Sequence, residues 1–306
     1  MAFLYLLEKI RVPGLNELML LITQLGEETA FLVIALIVFW CVDKRRGYYV
    51  MAVGFVGTIL NQGLKLMCRV PRPWVLDENF TILEQAREAA AGYSFPSGHT
   101  TSAFSTFCSI AATEKRCWLK ILCVVLAVLV GFSRMYIGVH TPSDVLVGAG
   151  LALFLVAGFR PVVMNRNEKS MHILLAAMAA LGVAFLLYVE LFPFPGDFDA
   201  HNLASGHKNA YTLMGCMVGV IVVYFAERKW VNFTTDAVWW VQILKVLLGL
   251  GLVLLVKAGL KAPLDVLLGG HMVARAIRYF LVVVVAGFAW PATFWFWSKL
   301  GRGGKA

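Results

Sequence analysis

Charge is scarce in this chain of 306 residues: Asp, Glu, Lys and Arg make up 15% of it, where soluble domains carry about a quarter. With 60% hydrophobic residues and a mean hydropathy of +0.76, that scarcity excludes an ordinary water-soluble fold. The six cysteines form no C-x-x-C pair; Cys41, Cys108, Cys123 and Cys216 lie in apolar runs, Cys117 in a basic loop and Cys68 beside Arg69. A structural zinc site and a disulfide scaffold are therefore not expected. A compact apolar stretch after a basic start is also missing, since Glu8 and Lys9 interrupt the N-terminus, so no cleavable signal is expected. Clustered basic residues on one face are missing too. The net charge of +9 is dealt out among short loops, which excludes a nucleic-acid surface.

What is present is a series of nearly uncharged windows, each long enough to cross a hydrocarbon core. The pattern predicts an all-α, polytopic membrane bundle with about nine transmembrane helices, near residues 26–42, 47–67, 98–113, 118–138, 143–159, 171–192, 209–226, 238–256 and 278–298. Residues 1–25 are amphipathic, broken at Pro13-Gly14, and are expected to lie in the membrane interface. Basic loops set the orientation. With Lys44, Arg45 and Arg46 in the cytoplasm and Lys245 reaching the same side, that side holds 15 basic and 5 acidic residues; 12 and 13 remain for the other. The N-terminus is then outside and the C-terminus inside.

Three outward segments carry charge where a membrane protein discourages it. In "KLMCRVPRPW", Lys65 ends an apolar helix and Arg72 follows two turns later, with Pro71 and Pro73 stiffening the exit. Two cations held together suit an anion, although in isolation a pair of snorkelling side chains at a helix end is the simpler reading. In Pro96-Ser97-Gly98-His99, a helix beginning near Ser97 offers unpaired N–H groups and the positive end of its dipole. Gly98 admits a ligand close to the backbone, and His99 holds a proton near neutral pH. Ser97 as a plain N-cap is the simpler alternative. In "SRMYIGVHTPSDVLVG", Thr141, Pro142 and Asp144 read as N-cap, N1 and N3 of a helix. That accounts for Asp144 but not for Arg134 or His140, and a carboxylate four residues on can hold one imidazole N–H. All three segments fall on one side, and charged groups facing the inside of a membrane bundle are functional candidates.

Taken together, K-x6-R-P, P-S-G-H and S-R-x5-H-x3-D resemble the signature of the type-2 phosphatidic acid phosphatase superfamily, which also includes glucose-6-phosphatase and the vanadium haloperoxidases. Residues 26–160 carry the resemblance, and no signature position departs from it. The segment 25–46, "LGEETAFLVIALIVFWCVDKRR", is also similar to the helix before the first motif in sphingosine-phosphate phosphatases. The resemblance implies a membrane phosphatase working through a phosphohistidine on His140, with Asp144 orienting the imidazole. It further implies that His99 acts as acid and then base, and that Lys65, Arg72, Ser97, Gly98 and Arg134 bind phosphate. No metal or other cofactor is implied, because three cations already neutralise the phosphoryl group. The expected substrate is a lipid phosphate or lipid diphosphate among membrane lipids. The expected location is a bacterial inner membrane with the site on the extracytoplasmic side. Two alternatives stand beside it, a phosphatase of a soluble ester and a transporter with a non-catalytic anion site. Within residues 161–306, "SGHKNAYTLMGCM" and "APLDVLLGG" echo the second and third motifs. A degenerate duplication or chance similarity of helix caps explains them, and neither places chemistry there.

Overall fold

A computed structural model of the protein describes residues 1–87, 90, 92–165, 167–196 and 198–300, and their regular secondary structure is helical throughout. The long helices are α1 (Ala2–Lys9), α2 (Pro13–Gln24), α3 (Glu28–Ile37, continued by a π-turn over Val38–Val42) and α4 (Lys44–Cys68). A short α5 (Pro73–Leu76) precedes α6 (Gly98–Thr113), α7 (Cys117–Tyr136), α8 (Pro142–Met164), α9 (Glu168–Leu191) and α10 (Ala200–Ala226). The chain closes with α11 (Trp239–Gly259), α12 (Lys261–Leu267), α13 (Val273–Val284) and α14 (Phe294–Trp297). It divides into two compact units, the first made of residues 1–34, 49–166 and 193–206 and the second of 35–48, 167–192 and 207–306.

This is an integral membrane protein. Each of the nine anticipated segments is helical, yet seven helices among the described residues are long and apolar enough to cross a membrane. The two that fall short do so for physical reasons. α6 has 16 residues and is rich in Ser and Thr. It packs on α7 and α8, with Ala103, Ser105 and Ser109 fully buried, so it needs no apolar, lipid-facing surface. α2 and α3 are bent by 56° across a break and become an eighth span only if counted as one.

In the first unit, α7 buries Cys123, Ala127, Val130, Gly131 and Arg134 along one stripe and exposes Ile121, Val124, Val125 and Val128 on the other, as a helix between protein and lipid should. Residues 1–25 pack on the end of α7 that bears Arg134. Arg11 donates through Nε to the Tyr136 carbonyl at 2.9 Å and through a guanidinium N–H to the Thr81 carbonyl at 2.8 Å, and the Tyr136 hydroxyl donates to Asn16 Oδ1 at 2.8 Å. The break before α2 falls at 10–12, and Pro13 opens the helix rather than interrupting it.

In the second unit, Lys44 Nζ meets the buried Glu227 at 2.8 Å. Lys245 does not reach out toward an aqueous side. It is buried, donates to the Trp40 carbonyl and Gln242 Oε1 at 3.0 Å each, and lies 4.0 Å above the Phe294 ring. α11 leaves Leu247, Leu248, Leu254 and Leu255 exposed, the outward surface of a lipid-facing helix.

Candidate active site

Each motif is placed by a helix end of the first unit. α4 stops at Cys68 because Arg69 turns left-handed, with φ of 50°, a common way to end a helix. Lys65, in the last turn, donates to the Tyr93 carbonyl at 2.5 Å. Arg72 follows as the N-cap of α5, donating through Nε to the Gly92 carbonyl and through one terminal N–H to the Val139 carbonyl, both at 2.9 Å. The same guanidinium nitrogen lies 2.9 Å from His140 Nε2.

Ser97 caps α6 as anticipated, accepting from the Thr100 N–H at 3.4 Å and the Thr100 hydroxyl at 2.9 Å. That cap sets it apart from its expected place: Ser97 is fully buried and lies behind the wall that Gly98 and His99 present to the cavity. α8 crosses closely here. A Cβ at Gly148 would stand 2.8 Å from the Ser97 carbonyl, and one at Gly26 would stand 2.8 Å from that of His99. Both positions therefore demand glycine to bring their segments against the start of α6.

Between α7 and α8, Gly138 with φ of 89° makes the turn. Thr141 and Asp144 form a complete capping box. The carboxylate has a second task, because Asp144 Oδ2 accepts from the Thr141 N–H at 2.8 Å and the Ser94 hydroxyl at 2.6 Å and lies 3.4 Å from His140 Nδ1. Nδ1 is thus turned to the carboxylate and Nε2 to Arg72 and the cavity. Burial, then the charges of Arg72, Arg134, Lys65 and His99, push the His140 imidazole well below its usual range. A neutral ring with a free pair at Nε2 is the form in which histidine is a nucleophile. Arg134, buried at the end of α7, donates to Thr23 Oγ1 of α2 at 2.7 Å.

These groups surround a cavity of about 350 Å³ lined by Lys65, Arg72, Gly98, His99, Arg134 and His140, while Asp144 supports it from behind. Of the anticipated residues, all but Ser97 and Asp144 reach the cavity wall. Sequence reasoning missed Ser94, Thr23, Asn61 and the stretch Gly26–Thr29, which complete the site. Ser94 sits two residues before the Pro-Ser-Gly-His motif, and Asn61-Gln62 is a polar pair inside an apolar helix one turn before Lys65; both signals were readable. Among the described residues no three His, Cys, Asp or Glu side chains gather as metal ligands. Three cations and a helix N-terminus facing one small cavity suit a tetrahedral oxyanion.

Comparison with known proteins places the chain in a wider group. The model of the PAP2 superfamily matches residues 45–168, and that of the PAP2 superfamily phosphatase transmembrane extension matches residues 211–301. Phosphatidylglycerophosphatase B of Bacillus subtilis (strain 168) is 33% identical over 176 residues, covering 52% of this chain and 82% of that protein. Undecaprenyl-diphosphatase BcrC of the same organism is 31% identical over 147 residues, 47% of this chain and 72% of its own. Glucose-6-phosphatase 3 of Mus musculus is 27% identical over 219 residues, 64% and 62% of the two chains. No solved structure matches.

Proposed function

Because the chain belongs to the PAP2 superfamily and is a membrane phosphatase, we propose that it hydrolyses a lipid phosphate or lipid diphosphate through a phosphohistidine on His140. One observation carries the reading: His140 Nδ1 faces Asp144 while Nε2 faces a cavity lined by Lys65, Arg72, Arg134 and His99. Substrate phosphate takes over the Arg72 N–H that Nε2 accepts in the free enzyme. The Nε2 pair then forms a bond to phosphorus as the bond to the leaving oxygen breaks. Burial, then the charges of Arg134, Arg72 and Lys65, hold the His99 imidazole well below its usual range in the free site. The negative charge of bound substrate offsets those cations, so His99 takes up a proton and gives it to the leaving oxygen, and the alcohol or phosphate departs neutralised by one charge. In the second step His99 takes a proton from water, the water oxygen bonds to phosphorus, and the P–N bond returns its pair to Nε2. Lys65, Arg72, Arg134 and the Gly98 N–H hold the equatorial oxygens, where charge spreads during transfer. Ser97 supports this by fixing the end of α6. Chemistry is assigned to residues 26–160 and none to 161–306.

Phosphate release from lipid monophosphates and diphosphates in detergent tests this reading. Release is expected to persist in excess EDTA and to be blocked by vanadate, which adopts a trigonal-bipyramidal geometry beside a nucleophilic imidazole. Activity lost on chelation and restored by magnesium would point to another mechanism, and transport without phosphate release to another class of protein.

The site is assigned to the extracytoplasmic side of a bacterial inner membrane, a reading supported by the asymmetry of basic residues between alternate loops. A cysteine introduced at Thr81, in a variant lacking the native exposed Cys68 and Cys117, is expected to react with an impermeant thiol reagent on intact cells. One at Asn167 is expected to require permeabilisation. The reverse pattern inverts the topology.

A further inference from the structure

Two of the three cations at the cavity are aimed by backbone carbonyls. Lys65 Nζ donates to the Tyr93 carbonyl at 2.5 Å and Arg72 Nε to the Gly92 carbonyl at 2.9 Å. Each therefore uses one donor on residues 92–93 and keeps the others for the cavity. Where these two carbonyls stand decides where the cations point. Residues 92–93 are not helical, and Gly92 has a φ of 85°, so no helical ladder of hydrogen bonds fixes them. Their place has to come from what packs against them. Ser94 ties one end, its N–H donating to the Val70 carbonyl at 2.8 Å.

The other contacts come from outside the three motifs, from residues 198–206 of the same unit. Phe198 lies just before α10. Its ring stands edge-on to that of Tyr93, with centroids 5.8 Å apart and planes at 82°, and the Arg69 guanidinium lies 5.7 Å above it. Phe194 backs it, with centroids 4.6 Å apart. Asp199 caps the helix by accepting from the Asn202 N–H at 2.7 Å. Asn202 and Gly206, four residues apart, share one face of α10. Asn202 Oδ1 is 3.1 Å from where a Cβ on Gly92 would stand, and Leu66, the neighbour of Lys65, is 3.0 Å from where one on Gly206 would stand. Residues 198, 202 and 206 thus press in turn on Tyr93, Gly92 and the end of α4.

We propose that Phe198 is a positioning residue of the phosphate site. Held between Tyr93 and Arg69, it fixes the 92–93 carbonyls, with Asn202 and Gly206 completing the clamp, and through them it sets Lys65 and Arg72 on the phosphate oxygens. Phe198 is not itself on the cavity wall. The proposal rests on the phosphatase reading above and gives a segment outside the signature motifs a part in it.

The test measures kcat and KM of the full-length protein in detergent, on nitrophenyl phosphate and a lipid monophosphate, together with the inhibition constant of inorganic phosphate. In Phe198→Ala, KM and the inhibition constant are both expected to rise about tenfold, the scale of a lost aromatic pair. The fall in kcat should stay within about threefold, because the cations hold substrate before and during transfer alike. The effect should be the same on both esters, since the leaving group is not involved. Phe198→Tyr keeps the ring and is expected to stay within about twofold of wild type. Should Phe198→Ala not fold, Phe198→Leu retains the apolar bulk and carries the same test, with rises of about threefold. An unchanged KM and inhibition constant, a loss confined to kcat as from a misfolded fraction, or a Phe198→Tyr as impaired as Phe198→Ala overturns the proposal while leaving the phosphatase reading intact. A wild-type protein that releases phosphate from neither ester overturns that reading and this proposal with it.

Discussion

Replacing His140 by alanine is expected to reduce phosphate release from any ester to background, a loss of at least roughly 10⁴-fold, in line with removal of a covalent nucleophile elsewhere. Among the described residues no other group is placed to substitute. His99, the second imidazole of the cavity, sits at the start of α6 without the carboxylate that holds His140 Nδ1 at 3.4 Å. The loss is expected in kcat, with little change in substrate binding, because Lys65, Arg72 and Arg134 remain on the cavity wall. Folding should survive: the capping box between Thr141 and Asp144 does not involve the ring, and Ser94 still donates to Asp144 Oδ2 at 2.6 Å. Steady-state kinetics on the detergent-solubilised variant, with thermal unfolding as a check on integrity, measure this. A variant that keeps a hundredth of wild-type kcat would remove His140 from the nucleophile's role.

His99→Ala is expected to behave differently, and the difference is diagnostic. His99 supplies a proton to the leaving oxygen, a contribution typically of about 10²–10⁴-fold. For an alkyl ester, whose alkoxide is a poor leaving group, the full penalty should appear. For nitrophenyl phosphate the departing phenolate needs little protonation, and the penalty in the first step should shrink by about tenfold or more relative to the alkyl ester. Measuring both substrates on one preparation removes any uncertainty about active fraction. Equal penalties in kcat/KM, which reports the steps through departure of the leaving group and not the later hydrolysis, would reduce His99 to a binding residue. Its position supports the assignment, because it shares the cavity wall with His140 and Arg134 while its own backbone is pinned by the approach of Gly26, whose Cβ would stand 2.8 Å from the His99 carbonyl.

Much of this site was legible because its parts are local. Lys65 and Arg72 flank one helix end, Ser97 and His99 one helix start, and His140 and Asp144 another, so spacing along the chain translates directly into position. The role of Ser97 was less so, since a hydroxyl at an N-cap either serves its own helix or faces a ligand, and only the Thr100 hydroxyl 2.9 Å away decides for the helix. Contacts between distant segments were not legible. Ser94 meets Asp144 across 50 residues, and Arg134 meets Thr23 across 111; no periodicity encodes such pairs. Counting spans by hydropathy missed the difference between a helix surrounded by lipid and one surrounded by protein. α6 is the second kind: the sixteen residues 98–113 form the expected helix, but, rich in Ser and Thr and surrounded by protein, they are not apolar enough to count as a membrane span. Lys245 misled for a related reason: a lone lysine in an apolar run is expected to reach water, but the Trp40 carbonyl, Gln242 and the Phe294 ring satisfy it inside.

The central claim is that the phosphoryl group passes through His140, and the most direct measurement is to catch it there. Wild-type protein mixed with a radioactive phosphate ester and quenched in alkali within milliseconds should carry label in less than one equivalent per chain. That label should be stable in alkali, lost in mild acid, and recovered on the peptide containing His140 alone. Label on His99, label of acid-stable character, or stoichiometric turnover with no labelled protein at any quench time would contradict the account.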